Sequence, residues 1–190
     1  PLFTLAAGVL IFKQKLHVQT VLGACGALLG CAIAVGAFSE GGLSISPRGL
    51  MWGITSAFFF ALYTVMGSRA GSRFEPFGLQ FYGMVCASIM WLVVLGPAPI
   101  LAVFADLRTA LMLIVISITS TTLAFGLYLN AMRLISATHA AITAMAEPII
   151  AGIIAALFLG ERMTLSLIMG GALVIGSIIL IQVSGSDAPV

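Results

Sequence analysis

The chain has 190 residues, of which 61% are hydrophobic and only 7% are charged, and its formal net charge is +2 at pH 7. Soluble domains carry roughly 25% charged residues, and a chain of this length has too small an interior to bury so much apolar surface. The composition therefore predicts a membrane protein. The low net charge and the scattered basic residues argue against nucleic acid as a partner.

Seven apolar segments follow one another along the chain, and each complete one has about the 17–25 residues of a membrane-spanning helix. None shows the alternation typical of a transmembrane β-barrel strand. The connections are short and polar, so neighbouring helices should run antiparallel. The sequence predicts an all-α fold, a multi-pass transmembrane helix bundle. The segments are residues 1–12 (truncated), 20–38, 47–68, 77–95, 107–132, 138–159 and 163–183.

An internal repeat relates the two ends of the chain. Residues 1–15 align with residues 148–162 at an offset of 147, and Gly23 then aligns with Gly170. In both copies an apolar run that opens with proline ends at a short charged turn and is followed by a glycine-containing run. Three further segments, residues 47–132, precede the second copy. If the first copy has the same three, the complete protein has about ten helices in two halves of five, an inverted repeat.

An odd number of helices in each half gives the halves opposite orientations in the membrane, as in secondary transporters with a midplane substrate site. We therefore expect residues 1–38 to be the last two helices of the first repeat, 47–184 the second repeat and 185–190 a tail. Alternate connections carry five Lys or Arg residues against three. The positive-inside rule places the richer side, with the C-terminus, in the cytoplasm.

One acidic residue, Glu147, lies at the centre of residues 138–159 and is followed directly by Pro148. A carboxylate at bilayer depth is costly unless it faces protein or water, so an intramembrane acid indicates a functional site. Glu147 would bind a cationic group or exchange a proton. The alternative is a structural acid, satisfied by a hydroxyl or backbone group near the helix kink. Pro148 frees a carbonyl one turn earlier, for a ligand or only for packing.

Other polar and aromatic residues recur at helical spacing and extend this candidate site. Thr143 lies between His139 and Glu147 at i, i+4 and i+8, which predicts one polar stripe. We expect the candidate side chains to line a cavity with aromatic walls and a few hydrogen-bonding groups. The alternatives are an interfacial anchor for the tryptophan and own-backbone hydrogen bonds for the hydroxyl groups. The further candidates are Trp52 and Tyr63 in the third segment and Thr121 and Tyr128 in the fifth.

Small residues predict close helix contacts. Gly26 and Gly30 form a GxxxG pair, and Ala172 with Gly176 is its counterpart near the C-terminus. Such pairs pack helices within a bundle or between the protomers of a homodimer. The three cysteines match no zinc spacing, and no metal or cofactor motif is present, so we expect neither.

These residues resemble the drug/metabolite transporter superfamily, in its EamA-type branch of ten helices and two repeats. The specific part is Glu147-Pro148 within a helix, followed by Gly160-Glu161-Arg162; residues 48–69 resemble the first helix of a repeat. One departure is Gln14, where the second copy has Glu161. The resemblance implies a transporter of small metabolites or drugs, resembling amino acids, nucleosides or cationic drugs, and not an enzyme. It also implies a multi-pass protein of the plasma membrane, such as a bacterial inner membrane.

We expect an exporter that works by alternating access, with H⁺ or Na⁺ as a coupling ion and membrane lipid as its surroundings. Two alternatives differ in class. A membrane-embedded enzyme needs acids, bases or metal ligands clustered at one depth, whereas this chain offers Glu147 nearly alone. A non-transporting membrane subunit would not need a central carboxylate.

Overall fold

The computed structural model describes residues 1–13, 17–38, 46–71 and 73–183. These residues form helices and connections without a β-strand, as predicted for an all-α bundle. Within the described residues, five helical stretches are long and apolar enough to cross a membrane, and two shorter apolar helices precede them. The predicted tail 185–190 and the turn residues Gln14 and Lys15 lie outside the described residues.

The helices match the predicted segments closely, with one addition. Residues 96–106, predicted as a connection, contain the short helix α5. Two spans are each interrupted by a short non-α turn. In chain order the helices are α1 (Leu2–Phe12), α2 (Val18–Ala34), α3 (Pro47–Gly71), α4 (Pro76–Leu95), α5 (Pro97–Val103), α6 (Leu107–Ile116), a π-helical segment (Ser117–Leu123), α7 (Ala124–Ala131), α8 (Ala137–Thr143), a 3₁₀ turn (Ala144–Ala146), α9 (Glu147–Leu159) and α10 (Leu165–Val183).

Side-chain caps fix the starts of several helices. The carboxylate of Glu75 accepts a hydrogen bond from the backbone N–H of Gly78 at 2.6 Å and begins α4. Asp106 begins α6 in the same way, and Ser136 begins α8. Such caps satisfy N–H groups that have no partner within the helix. At the other end of α9, Gly160 adopts φ 71°, a left-handed conformation that favours glycine.

The chain divides into two compact units, and each is described by itself. The first comprises residues up to Val65 together with those from Ile135 onward, and the second is Met66–Leu134. The first unit therefore holds α1, α2, most of α3 and α8 to α10. The second holds the end of α3 and α4 to α7.

In the first unit, α2 packs tightly along α10. A Cβ atom at Gly30 would lie 2.7 Å from the carbonyl oxygen of Gly170, so the two backbones are nearly in contact. Gly23 meets Ile181 and the backbone of Ser177 in the same way. Because rising numbers on α2 meet falling numbers on α10, the two helices are antiparallel. This is the relation that oppositely oriented repeats predict for their last helices.

The contacts between α2 and α10 follow the offset of 147 found in the sequence. Gly23 corresponds to Gly170 and Gly30 to Ser177, so the contact of Gly23 with Ser177 is repeated, with the helices exchanged, as Gly170 with Gly30. Ala27 corresponds to Val174, and both residues are completely buried at the middle of this row. The two helices therefore meet as equivalent elements around a local two-fold relation.

The predicted close helix contact is confirmed for the pair on α2, whereas the pair on α10 lies outside the contact between these two helices. Gly26 and Gly30 lie in the contact, whereas Ala172 and Gly176 are exposed, and a Cβ atom at Gly176 would meet nothing within 4 Å. The register of α10 instead turns the stripe that contains Gly170 toward α2. The packing of Gly26 and Gly30 lies within one chain. A hydrophobic core adjoins it, formed by Ala24, Ala27, Ile142 and Ile181 with Leu5, Met145 and Ile178 packed around them.

The second unit is held together by contacts of glycines with bulky side chains. Gly126 on α7 lies directly against the ring of Phe77 on α4. A Cβ atom at Gly67, at the end of α3, would lie 2.5 Å from a methyl group of Leu129, which is only 1% exposed. Close approach of helices at glycine is the usual way in which transmembrane helices pack.

Candidate functional site

The span that contains Glu147 is broken near its middle. Pro148 has no N–H to donate to the carbonyl of Ala144, the partner that a continuous α-helix would supply. That carbonyl accepts instead from the N–H of Glu147, three residues on, which makes the 3₁₀ turn Ala144–Ala146. Helix α9 then begins at Glu147. The predicted kink is thus a complete interruption of the α-helix, with the acidic residue as the first residue of the second half.

The side chain of Glu147 is exposed, and it makes no hydrogen bond or ion pair with another described residue. Two residues later Ile149 is 5% exposed, and its side chain packs on Gly171 of α10. Residues two apart lie on nearly opposite sides of a helix, so Glu147 faces away from α10. The predicted structural alternative, an acid satisfied by a nearby hydroxyl, has no such partner in the described part of the chain.

The position of Glu147 at a helix N-terminus is favourable for a negative charge. The N–H groups of the first turn carry a partial positive charge and stabilise carboxylates there. Broken helices in transporters present such ends to ions and substrates near the membrane midplane. The break therefore places the carboxyl group at a helix N-terminus while the side chain remains exposed.

The predicted polar stripe on this helix is only partly brought together. His139 and Thr143 line a small cavity of about 30 Å³, which has room for about one water molecule. Glu147 does not line it. A 3₁₀ turn has 3.0 residues per turn instead of 3.6, so the turn rotates Glu147 out of line with the two earlier residues. The other lining residues are Ile135, Ile142, Ile178, Ile181 and Gln182.

The two aromatic candidates on α3 differ in exposure within the first unit. Trp52 is 67% exposed, and Tyr63 is half-buried and stacked on Phe60, with ring centroids 6.3 Å apart. The opposite side of α3 packs on α1, where the rings of Phe58 and Phe3 meet edge to face at 5.9 Å. The contact with α1 is thus made by a side of α3 other than the one that carries Trp52 and Tyr63.

An apolar cleft between α1 and α3 was not predicted from the sequence. Its volume is about 330 Å³, and its lining is apolar throughout. Small-molecule sites combine apolar walls with a few converging polar groups, and this cleft has none. Its lining residues are Phe3, Ala6, Ala7, Leu10, Ile11, Phe58, Ala61, Leu62 and Val65.

In the second unit, the candidates Thr121 and Tyr128 are both half-buried. Thr121 lies in the π-helical segment Ser117–Leu123. The own-backbone hydrogen bonds considered as an alternative occur at its neighbours, from Thr119 to the carbonyl of Val115 and from Thr122 to that of Ser117. A π-helical turn is rare and often marks a functional site. This π-helical segment was not predicted from the sequence, although the run of hydroxyl residues at 117–122 is a signal for it.

The cysteines are free thiols rather than disulfides, and Cys31 makes a specific contact. Its Sγ atom donates to the carbonyl oxygen of Met145, in the 3₁₀ turn, at 3.4 Å. In the described part of the chain, no three His, Cys, Asp or Glu side chains are grouped so that they could hold a metal ion.

The sequence matches a known family over most of its length. The model of the EamA-like transporter family matches residues 47–183. Similar curated proteins are named as transporters. An uncharacterized transporter of Archaeoglobus fulgidus is 24% identical over 95% of this chain and 62% of its own length. The uncharacterized inner membrane transporter YicL of Salmonella typhimurium is 32% identical over 82% of this chain and 51% of its own length.

The chain thus spans about half to three fifths of the length of these relatives. No solved structure matches it. The apolar spans and the matched family agree with a multi-pass membrane protein. The chain belongs to the EamA-like transporter family.

Proposed function

We propose that the complete protein is a secondary transporter of small metabolites or drugs, with Glu147 at its substrate or proton site. The observation that carries this proposal is the interruption of the span Ala137–Leu159, which makes Glu147 the exposed first residue of α9. A carboxylate at that depth is costly unless something polar meets it. The rest of the described chain supplies no such group.

The chemistry of Glu147 limits what it binds. A carboxylate accepts hydrogen bonds and attracts positive charge, so its partner is a proton, a Na⁺ ion or a cationic group of the substrate. Compounds that carry an amine, such as amino acids and cationic drugs, meet this requirement, and nucleosides meet it only through coupled proton movement. Further residues proposed to contribute aromatic or hydroxyl groups to substrate binding are Trp52, Tyr63 and Thr143 in the first unit and, taken separately, Thr121 and Tyr128 in the second.

The proposed mechanism is alternating access between two halves of opposite orientation. The antiparallel contact of α2 with α10 supports this inference. In it the contact of Gly23 with Ser177 is matched by the contact of Gly170 with Gly30, the residues at equivalent positions of the two repeats. A site near the midplane between such halves can open to one side of the membrane and then to the other. Pro148 would serve this movement by dividing its helix into two parts.

The cellular setting is part of the proposal. The relative in Salmonella typhimurium is named an inner membrane transporter, which supports a bacterial inner membrane. The distribution of Lys and Arg supports a cytoplasmic C-terminus, and we propose export as the direction. We also propose that the protein forms a homodimer through faces other than the contact between α2 and α10.

Flux through the purified, complete protein in liposomes tests the proposal. The probes are a radiolabelled amino acid, a nucleoside and the lipophilic cation tetraphenylphosphonium, each measured by exchange across the vesicle membrane. The variants are Glu147→Gln and, as a matched control, Glu161→Gln in the exposed turn after α9. We expect at least about a tenfold loss of flux in the first, the factor that about 1.4 kcal/mol represents, and no loss in the control.

Two results would contradict the proposal in different ways. Unchanged flux in Glu147→Gln would remove this residue from the mechanism while leaving a transporter. No flux of any probe by the wild-type protein, together with turnover of a lipid or isoprenoid substrate, would instead favour a membrane-embedded enzyme.

A further inference from the structure

A hydrogen bond joins α2 to the interruption beside Glu147. The Sγ atom of Cys31 donates to the carbonyl oxygen of Met145 at 3.4 Å, across 114 residues of sequence. Met145 is the middle residue of the 3₁₀ turn Ala144–Ala146, and Glu147 follows two residues later. The thiol thus contacts the turn that determines where α9 begins.

The geometry of this contact is fixed by the packing on both sides of it. Gly30, next to Cys31, lies so close to Gly170 that α2 cannot shift along α10 without a backbone clash. On the other side, Met145 packs on the core that contains Ile142. Neither partner can move far without disturbing buried neighbours, so the donor and the acceptor are held in register.

In a 3₁₀ register the carbonyl of Met145 would accept from the N–H three residues later, and Pro148 has no N–H to donate. The Cys31 thiol supplies a donor to this carbonyl from another helix. Water is absent from the hydrocarbon region, so side chains of neighbouring helices satisfy carbonyls around a proline. A thiol is a weak donor, but it is small enough to fit between α2 and the 3₁₀ turn.

We propose that Cys31 is a positioning residue, whose hydrogen bond to Met145 holds the 3₁₀ turn and thereby sets the place at which Glu147 is presented. The role in transport rests on the proposed function of Glu147, whereas the hydrogen bond itself can be tested without transport. Serine can replace the donor because a hydroxyl group is similar in size. Alanine cannot, because it has no donor.

Infrared spectroscopy of the complete protein tests the hydrogen bond directly. Cys25 and Cys86 are exposed, so a Cys25→Ala, Cys86→Ala protein retains Cys31 as the thiol of interest within the described residues. Cys31→Ala in the same background identifies its S–H stretching band by subtraction. We expect this band at a lower frequency in the folded protein than after unfolding in detergent, because hydrogen bonding weakens the S–H bond.

Hydrogen exchange tests the consequence for the turn. In Cys31→Ala we expect the amides at the start of α9 to exchange about fivefold faster, the factor that corresponds to a typical net hydrogen bond. Cys31→Ser should restore the slower exchange, and Cys25→Ala on the same helix should leave it unchanged. Flux should fall in Cys31→Ala and return in Cys31→Ser.

The outcomes separate this inference from the proposed function. An S–H band at the frequency of an unbonded thiol would overturn it, even if Cys31→Ala does not fold. Exchange in a folded Cys31→Ala protein equal to that of the wild type would also overturn it. If both measurements agree with expectation but Glu147→Gln transports normally, Cys31 positions the turn, and the transport role of Glu147 is wrong.

Discussion

Replacing Gly30 by alanine should destabilise the protein through a clash that the neighbouring helix cannot easily relieve. The added Cβ atom would lie 2.7 Å from the carbonyl oxygen of Gly170 and 2.9 Å from the backbone nitrogen of Val174. Ordinary contact begins at 3.4 Å, so the shortfall is 3.4 − 2.7 = 0.7 Å. Because these are backbone atoms, no side chain can rotate away, and the helices must separate. Overpacking of this kind costs about 1–3 kcal/mol.

Gly176→Ala is the matched control on α10, because a Cβ atom there would meet nothing within 4 Å. Both variants gain the preference of alanine over glycine in a helix, about 1 kcal/mol. The difference between their free energies of unfolding therefore reports the clash alone. The measurement is the free energy of unfolding of the complete protein in a detergent titration followed by circular dichroism. We expect Gly30→Ala to be less stable than Gly176→Ala by about 1–3 kcal/mol. Equal stability would refute the contact between α2 and α10.

Two smaller effects are expected elsewhere. Gly126→Ala should destabilise the second unit, because its Cβ atom would overlap the ring of Phe77, whereas Gly83→Ala meets open space; a thermal melt in which both behave alike would contradict this packing. The hydrogen bond from the hydroxyl group of Thr109, and next that from its N–H, lower the pKa of Asp106 below 3.8. The stabilisation of the start of α6 by ionised Asp106 is therefore complete above pH 3.8. It is lost as the pH falls through the lowered pKa. Over that range the protection factors of the amides at the start of α6, which correct for the intrinsic pH dependence of exchange, should fall, and Asp106→Ala should abolish this fall. An unchanged fall in this variant would assign it to another group.

The spans could be predicted from the sequence because lipid selects for length and apolar composition alone. Residues 107–132 were predicted and 107–131 are found, and the start of the helix at Pro47 was placed correctly. The short helix Pro97–Val103 was missed. It has only 7 residues, and its two prolines are typical of a connection as much as of a helix start.

The interruptions and the packing register were harder to predict, for physical reasons. Pro148 predicted a kink, but the rotation of Glu147 away from His139 depends on the 3₁₀ turn that follows from it. Small residues occur on several faces of α10, and contact with α2 selects the face of Gly170 rather than that of Gly176. The donor role of Cys31 depends on that same register, so spacing along the sequence could not indicate it.

Residue 147 itself offers the most direct test of whether the intramembrane acid meets an aqueous pathway. In a protein with its cysteines replaced by serine, Glu147→Cys is exposed to a membrane-impermeant cationic thiol reagent, added from one side of the vesicles and then from the other. We predict labelling from the aqueous phase. Labelling by a lipid-soluble maleimide alone, with none from either aqueous side, would show that the side chain faces lipid and would contradict the transport site.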